Sequence, residues 1–389
     1  MCVLEKTSQD KDVFEISQGK RKIFSLFGRL IRRFFVRRGG PEDKIYLIYN
    51  TTFSVKEIFK KYTQKPDLII VYFVADYLSD HDLFKIQKHY GCPVAFYLMD
   101  AAMFTGGCHY PWHCEGYKVD CDNCPAMKYP DLIKLPKNIF HKRKKYYMQM
   151  DCFFLSASKW LDDRCEASGI KAKLGIKKAI IGIDEQVFKP RTKLVASSII
   201  NVEIPSDNKV IFLGAQSLSD PRKGVKYVLD GLNFIRDNFP DLLKGVSILT
   251  VGDQAQANLP EGISFVNIGF IHDKDKYPYL YNLADGFICP SIEDAGPMMI
   301  NEALMSGIPV MAFKVGVAED LIVDRTSGFL ADDITTQALA NSIMEFLKLD
   351  DACLAALKES SRQLALQRCT SQCQVNAIES LVSNKSHSA

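Results

Sequence analysis

From residue 209 onward, apolar runs of four to six residues alternate with longer amphipathic stretches, and this alternation limits the fold more than any other feature of the chain. The runs 210–213, 246–251, 263–268, 286–289 and 309–313 read as buried strands, with a short further strand near Gly328. Between them, apolar residues recur at helical spacing over 225–239, 277–284, 297–305 and 336–347. Strands that are apolar on both faces and separated by helices belong to a parallel sheet covered on both sides. The first half repeats the theme less regularly, with strand candidates at 44–49, 67–74, 93–99, 151–156 and 178–181. The expected fold is therefore α/β, with two doubly wound, Rossmann-like domains in tandem. A ligand site in such a fold lies in a cleft beyond the carboxyl ends of the strands.

Length agrees with two domains, because a single core stops growing near ~250 to 300 residues and the chain has 389. The expected boundaries are 1–188 for the first domain and 189–360 for the second. Residues 361–389 are expected to hold a helix returning toward the first domain and a disordered tail. With 47% hydrophobic and 24% charged residues, the composition excludes disordered and fibrous classes. The net charge of +3 conceals a split: residues 1–200 carry 34 basic and 22 acidic side chains, residues 201–389 carry 15 and 24. The two halves should therefore meet different partners.

The N-terminus lacks a basic stretch followed by an apolar run, and no uncharged apolar run reaches the ~18 residues of a membrane span. A cytoplasmic protein is expected, in which thiols stay reduced. Neither a Walker motif nor a dinucleotide glycine fingerprint is present, which argues against kinase and dehydrogenase readings. No nucleic-acid partner is expected.

Three stretches carry chemistry. In the first, Asp294 and Glu302 are separated by seven residues that include Gly296, Pro297, Met298 and Met299. Gly296 lets backbone approach a ligand, and Pro297 suits the first helical position. The amides of Met298 and Met299 then stand free at a helix N-terminus, an anion site. Glu302 lies one turn behind, placed to accept hydrogen bonds from ribose hydroxyls. An N-capped helix with an exposed Glu is the plainer reading. The turn Asp220-Pro221-Arg222-Lys223-Gly224 follows the first strand of the same half and could bring two cations to a diphosphate, or simply be solvated.

In the second stretch, Cys108, Cys114, Cys121 and Cys124 have the spacing C-x5-C-x6-C-x2-C inside an insertion at 105–125. Four thiolates suffice for a structural zinc site; unpaired or redox thiols and disulfides are the alternatives. The third stretch begins at Lys20 and ends at Arg38. Apolar residues at helical spacing, with eight Lys/Arg and no acid, read as an amphipathic helix on an anionic membrane surface, or as a helix packed on the first sheet.

Together these motifs resemble the retaining glycosyltransferases of family 4, which have the GT-B fold. The resemblance rests on Asp294 through Val310, on Lys223-Gly224, on Gly182-Ile183-Asp184 with Phe188-Lys189-Pro190, and in part on Ala318-Glu319-Asp320 and Gly328-Phe329-Leu330. It covers roughly residues 44–382. The run Thr105-Gly106-Gly107-Cys108-His109-Tyr110 is similar to an insertion in a subgroup linked to capsule or exopolysaccharide assembly.

The resemblance implies two domains facing a cleft, the first binding the acceptor and the second a nucleotide-sugar donor. It implies that Lys223 and Arg222 meet the donor diphosphate, and that Glu302 holds the ribose. Asp294 and the 296–299 amides would contact phosphates and sugar, and Phe270 and Ile271 would flank the base. A hexose would pass with retention to a saccharide acceptor, lipid-linked if segment 20–38 binds membrane, and no catalytic metal is expected. Two departures stand out. Ala215 follows Gly214 where the family often has Arg, and Met99 stands where many members have a His that orients the donor sugar; Asp100 or His109 could take that role. The opening βα unit of the family is expected to be missing, so a catalytically silent GT-B protein is the alternative reading.

Overall fold

The computed structural model describes residues 2–3, 9–11, 13–15, 34–36, 55–73, 77–204, 207–214, 220–252, 260 and 263–383. The chain forms two compact units, Met1–Ser156 with Leu161–Lys178, and Ala157–Trp160 with Ala179–Ala389.

In the first unit, β1 (Cys2–Val3) pairs in parallel with β2 (Phe14–Glu15). The main sheet is parallel throughout, in the order β3 (Ile69–Val71), β4 (Val94–Leu98), β5 (Cys152–Ser156), β6 (Ile176–Lys178). Helices α1 (Val55–Lys61), α2 (Asp80–Tyr90), α3 (Leu135–Gln149) and α4 (Lys159–Ala167) alternate with these strands, α4 running across the boundary between the units. Every residue of β4 and β5 is buried, as continuous apolar strands in a covered sheet require. The expected strand at 44–49 lies outside the described residues.

In the second unit a six-stranded sheet runs β12 (Gly328–Ala331), β11 (Val310–Phe313), β10 (Gly286–Cys289), β7 (Lys209–Leu213), β8 (Val246–Thr250), β9 (Ser264–Asn267), again all parallel. Its helices are α5 (Lys193–Ile200), α6 (Val225–Asn238), α7 (Tyr279–Asn282), α8 (Met298–Met305), α9 (Ala318–Leu321), α10 (Thr336–Leu347), α11 (Asp351–Arg368) and α12 (Ser371–Ser383). One core face gathers Phe212, Tyr281, Phe287, Ile300 and Leu304; the other gathers Ile211, Val228, Ile248, Met311 and Phe346. Fully burying each such side chain contributes about 1.5–3 kcal/mol. The segment 182–190 is strapped to α11: Arg362 donates to the carbonyls of Phe188 (2.8 Å) and Glu185 (3.0 Å), and the Ile183 N–H donates to Cys369 (2.8 Å).

Strands β7, β8 and β9 step outward in one direction and β10, β11 and β12 in the other, so the order reverses between β7 and β10. Chain leaving neighbouring strands at such a switch point goes to opposite sides and leaves a crevice at their carboxyl ends.

Among the described residues no helix is long and apolar enough to cross a membrane. Most of the basic segment 20–38 lies outside the described residues. Of its described part, Phe34 and Phe35 are exposed, and Val36 is buried against Ala126 and Met127.

Candidate functional site

The chain leaving β7 and the chain leaving β10 meet at the switch point. After β7, Asp220 caps a short turn, Pro221–Lys223, by accepting the Arg222 N–H (3.1 Å). Gly224 then adopts φ +61°, and a Cβ there would stand 1.9 Å from the Pro290 carbonyl oxygen just past β10. Only glycine permits both the left-handed turn and this approach. The Ile292 N–H donates to the Arg222 carbonyl (2.8 Å), fastening one turn to the other.

This docking carries Lys223 to Asp294: its Nζ lies 2.6 Å from Oδ2, with both side chains largely shielded from solvent. Residues 71 positions apart are thereby brought together. Arg222 instead pairs with Asp220 at 2.7 Å. Burial pushes the nearby Cys289 thiol up to about 11, with Lys223 pulling it down and Asp294 pushing it up. The loop beyond is held by the Ser158 hydroxyl, which donates to the Ala295 carbonyl (2.6 Å).

Pro297 was expected as the first helical residue but is extended (φ −64°, ψ 104°) and stands just before α8. Its carbonyl accepts the Ile300 N–H (2.9 Å), and no side chain caps the helix, so the first-turn amides of Met298 and Met299 carry no side-chain cap. Met298 is exposed, whereas Met299 is half-buried and packs against the position where Gly214 would carry a Cβ. One turn on, Glu302 accepts a short hydrogen bond from the buried Tyr281 hydroxyl. Burial raises the Glu302 carboxyl above the usual carboxylate range, and the Tyr281 bond partly offsets that shift. Tyr277 is hydrogen-bonded to Tyr281 in turn. The linear pattern gave no sign of Tyr281, which reads there only as a core aromatic. Past β9, Phe270 is exposed and Ile271 packs on the core.

In the first unit, Asp100 follows β4 and caps the turn Ala101–Phe104 through the Ala102 N–H (2.7 Å). Its other oxygen makes a short hydrogen bond to His109 Nδ1, and both residues are buried. The Nε2 of His109 has no partner among the described residues, and the Phe73 ring stacks on the imidazole at 5.6 Å. Met99 is exposed. The loop is anchored from beneath by fully buried Arg143, which donates to the carbonyls of Ala102 and Thr105 (2.8 Å for the second) and pairs with Asp80.

The four cysteines of the insertion are free thiols, close enough for Cys114, Cys121 and Cys124 to disfavour charge on Cys108. Among the described residues, however, no three His, Cys, Asp or Glu are grouped so as to hold a metal ion. The expected four-thiolate zinc site is therefore not formed in this structure. Burial holds Cys108 well above the usual thiol range and pushes Cys121 up to about 12, and Cys121 Sγ accepts the Gly106 N–H. Ion pairs from Lys134 to Asp122 (2.6 Å) and from Lys137 to Asp120 (3.0 Å) and Asp122 (2.8 Å) tie the insertion to α3.

Residues 207–349 match the family "Glycosyl transferases group 1". A D-inositol 3-phosphate glycosyltransferase of Segniliparus rotundus is 29% identical over 162 residues, which are 39% of this chain and 34% of that protein. The match thus spans about a third of that relative. A putative colanic acid biosynthesis glycosyl transferase of Escherichia coli is 21% identical over 318 residues, 78% of this chain and 67% of the relative. Among solved structures, Anabaena HepE in complex with UDP-glucose superposes with a TM-score of 0.57 at 18% identity, over 85% of this chain and 82% of that one. Two parallel-sheet units and the strand order that reverses between β7 and β10 agree with these likenesses: the chain has the GT-B fold, and its residues 207–349 are similar to the group 1 glycosyl transferases.

Proposed function

We propose that this protein is a retaining glycosyltransferase that moves a hexose from a nucleotide sugar to a lipid-linked saccharide in surface polysaccharide assembly. The observation that carries this reading is the placement of Lys223 beside Asp294, close in sequence to the uncapped start of α8 and to Glu302. As the glycosidic bond breaks, negative charge grows on the leaving diphosphate. Lys223, aided by Arg222 and the amides of Met298 and Met299, would stabilise that charge without a divalent ion. Glu302 would accept the ribose hydroxyls, Phe270 and Ile271 would flank the base, and Asp294 with Gly296 would contact phosphate and sugar. HepE, solved with UDP-glucose, supports a uridine diphosphate sugar as the first donor to try.

In the first unit, which we assign to the acceptor, the Asp100–His109 pair is the candidate for orienting the transferred sugar. Segment 20–38 would hold the protein at the inner face of an anionic membrane. Incubation with a panel of nucleotide sugars is expected to release nucleoside diphosphate from one of them, and Glu302→Ala is expected to lower kcat/KM at least about tenfold, the lower end of what one charged hydrogen bond is worth. Binding of a nucleotide sugar with no release from any donor would favour the silent reading, to which exposed Met99 points.

The raised carboxyl of Glu302 gives a pH signature. Only its ionised form accepts two hydroxyls, so donor KM should climb as pH falls through its raised pKa, earlier than for an exposed Glu. The Tyr281 hydroxyl stabilises the ionised form; Tyr281→Phe should therefore move the inflection to still higher pH. A downward move, measured from donor KM against pH, would refute the assignment of Glu302.

A further inference from the structure

We propose that the outer face of helices α2 and α3 in the first unit docks on an anionic lipid surface. The two helices connect strands that step the same way, β3 to β4 and β4 to β5, so right-handed crossovers lay both on one side of the sheet. They pack flank to flank: the Tyr146 ring of α3 lies 5.4 Å from that of His81 and 5.5 Å from that of Phe84 in α2. Their solvent faces therefore form one surface.

That surface is basic because its acids turn inward. Asp80 is buried against Arg143 and accepts the Tyr147 hydroxyl (3.0 Å), buried Asp82 closes the cap of α2 on Ser79, and α3 contains no acid. Lys85, Lys88, Lys142, Lys144 and Lys145 remain, all exposed, and none of them has an ion pair among the described residues. Three-residue spacing puts Lys85 with Lys88, and Lys142 with Lys145, on a shared helix face, and Lys88 Nζ lies 5.5 Å over the Phe84 ring that touches Tyr146. Exposed lysines elsewhere do find carboxylates, as Lys173 does with Asp151, Lys226 with Asp230 and Lys314 with Asp332. Of the acids leading into α3, Asp120 and Asp122 are taken by Lys134 and Lys137, and Asp131 stands exposed ahead of it.

The residue types favour a lipid surface over a nucleic acid. All five cations are lysines, compact charges that answer an anionic field without fixing its geometry, whereas Arg143, the one arginine of the two helices and the type suited to bidentate phosphate contacts, is fully buried. Apolar side chains stand exposed at both ends of α3, with Tyr129 and Leu132 (82% exposed) before it and Met148 in its last turn. The described end of segment 20–38 joins them: Val36 bridges to Met127 and the Lys128 N–H donates to the Phe35 carbonyl (2.9 Å), so exposed Phe34 and Phe35 sit beside the chain leading into α3. Lysines flanked by exposed apolar side chains suit the boundary between headgroups and acyl chains. This inference extends the membrane reading of segment 20–38, and its test separates the two.

Co-sedimentation of the full chain with vesicles tests it, using equal parts of phosphatidylglycerol and phosphatidylcholine against phosphatidylcholine alone. Binding is expected on the mixed vesicles only, weakening as salt rises. Each lysine near such a surface is worth about fivefold, so Lys85→Gln, Lys142→Gln and Lys145→Gln together should weaken binding at least about thirtyfold. The same three positions changed to Arg should keep it. All three side chains are exposed, so the thermal midpoint should stay at the wild-type value in both variants. Arg32→Gln with Arg33→Gln reports on segment 20–38 separately: loss of binding in that variant alone would leave the segment as the anchor and overturn the present proposal. Equal pelleting with neutral vesicles would overturn it too, as would tighter binding of polyuridylate that the three Lys→Gln changes abolish, which would give the face to nucleic acid.

Discussion

Lys223→Ala is expected to lower kcat/KM for the nucleotide sugar by about 10- to 150-fold, the equivalent of losing one charged hydrogen bond of roughly 1.5–3 kcal/mol to the diphosphate. The effect should appear chiefly in kcat, because the charge that Lys223 meets grows as the leaving group departs. In the free protein the Lys223 ammonium is already paired with Asp294 at 2.6 Å. Donor phosphate must therefore compete with a carboxylate for the same ammonium, and removal of Lys223 leaves Asp294, 7% exposed, without its ion pair. A modest fall in thermal stability should accompany the loss of rate. Lys223→Arg keeps the charge and should recover part of the activity. Steady-state kinetics on folded variants decide the point: wild-type kcat/KM in Lys223→Ala would remove this residue from the site.

The second large effect is structural. Gly224→Ala should destabilise the protein by about 2–5 kcal/mol, combining left-handed strain of roughly 1–2 kcal/mol with overpacking of about 1–3 kcal/mol. The clash is with backbone, the Pro290 carbonyl oxygen at 1.9 Å, which no side-chain rotation relieves. For a unit of this size, that predicts a fall in thermal midpoint of about 4–20 °C. Gly231→Ala is the matched control. Gly231 lies within α6 at ordinary contact, 3.5 Å from Ala340 Cβ, and alanine there should be neutral or stabilising by up to about 1 kcal/mol. Thermal unfolding of the two variants should thus shift in different directions. Equal shifts would show that the Lys223–Gly224 turn is not held against Pro290 as described.

Much of the second unit was legible because its code is local. The strand at 286–289 and the helix at 336–347 form as the sequence predicts, since a four-residue apolar run is too short for a buried helix and a twelve-residue stretch with apolar residues at helical spacing is too long and too amphipathic for a strand. The helix that the sequence predicts over 277–284 is shorter: within it Tyr279–Asn282 is α-helical, with Pro278 at its N-cap. Pro297 was placed one residue too far into α8, because propensity favours proline at the first helical position while the backbone here stays extended to close the preceding loop. The cysteine spacing described a possible coordination set, but spacing cannot say where sulfur atoms point or whether a buried thiol will ionise.

The sequence by itself determined the alternation that makes two parallel sheets, and it marked the residue types of the candidate site: Lys223 after a strand, Gly224 beside it, Asp294 and Glu302 around a helix start. These are properties of neighbours along the chain, where periodicity and turn chemistry act. Tertiary structure alone decided that Lys223 meets Asp294 and that Tyr281 holds Glu302. Each of those depends on strand order, because the reversal between β7 and β10 chooses which distant loops share an edge. No local pattern encodes that order; it follows from burying both faces of the sheet at once.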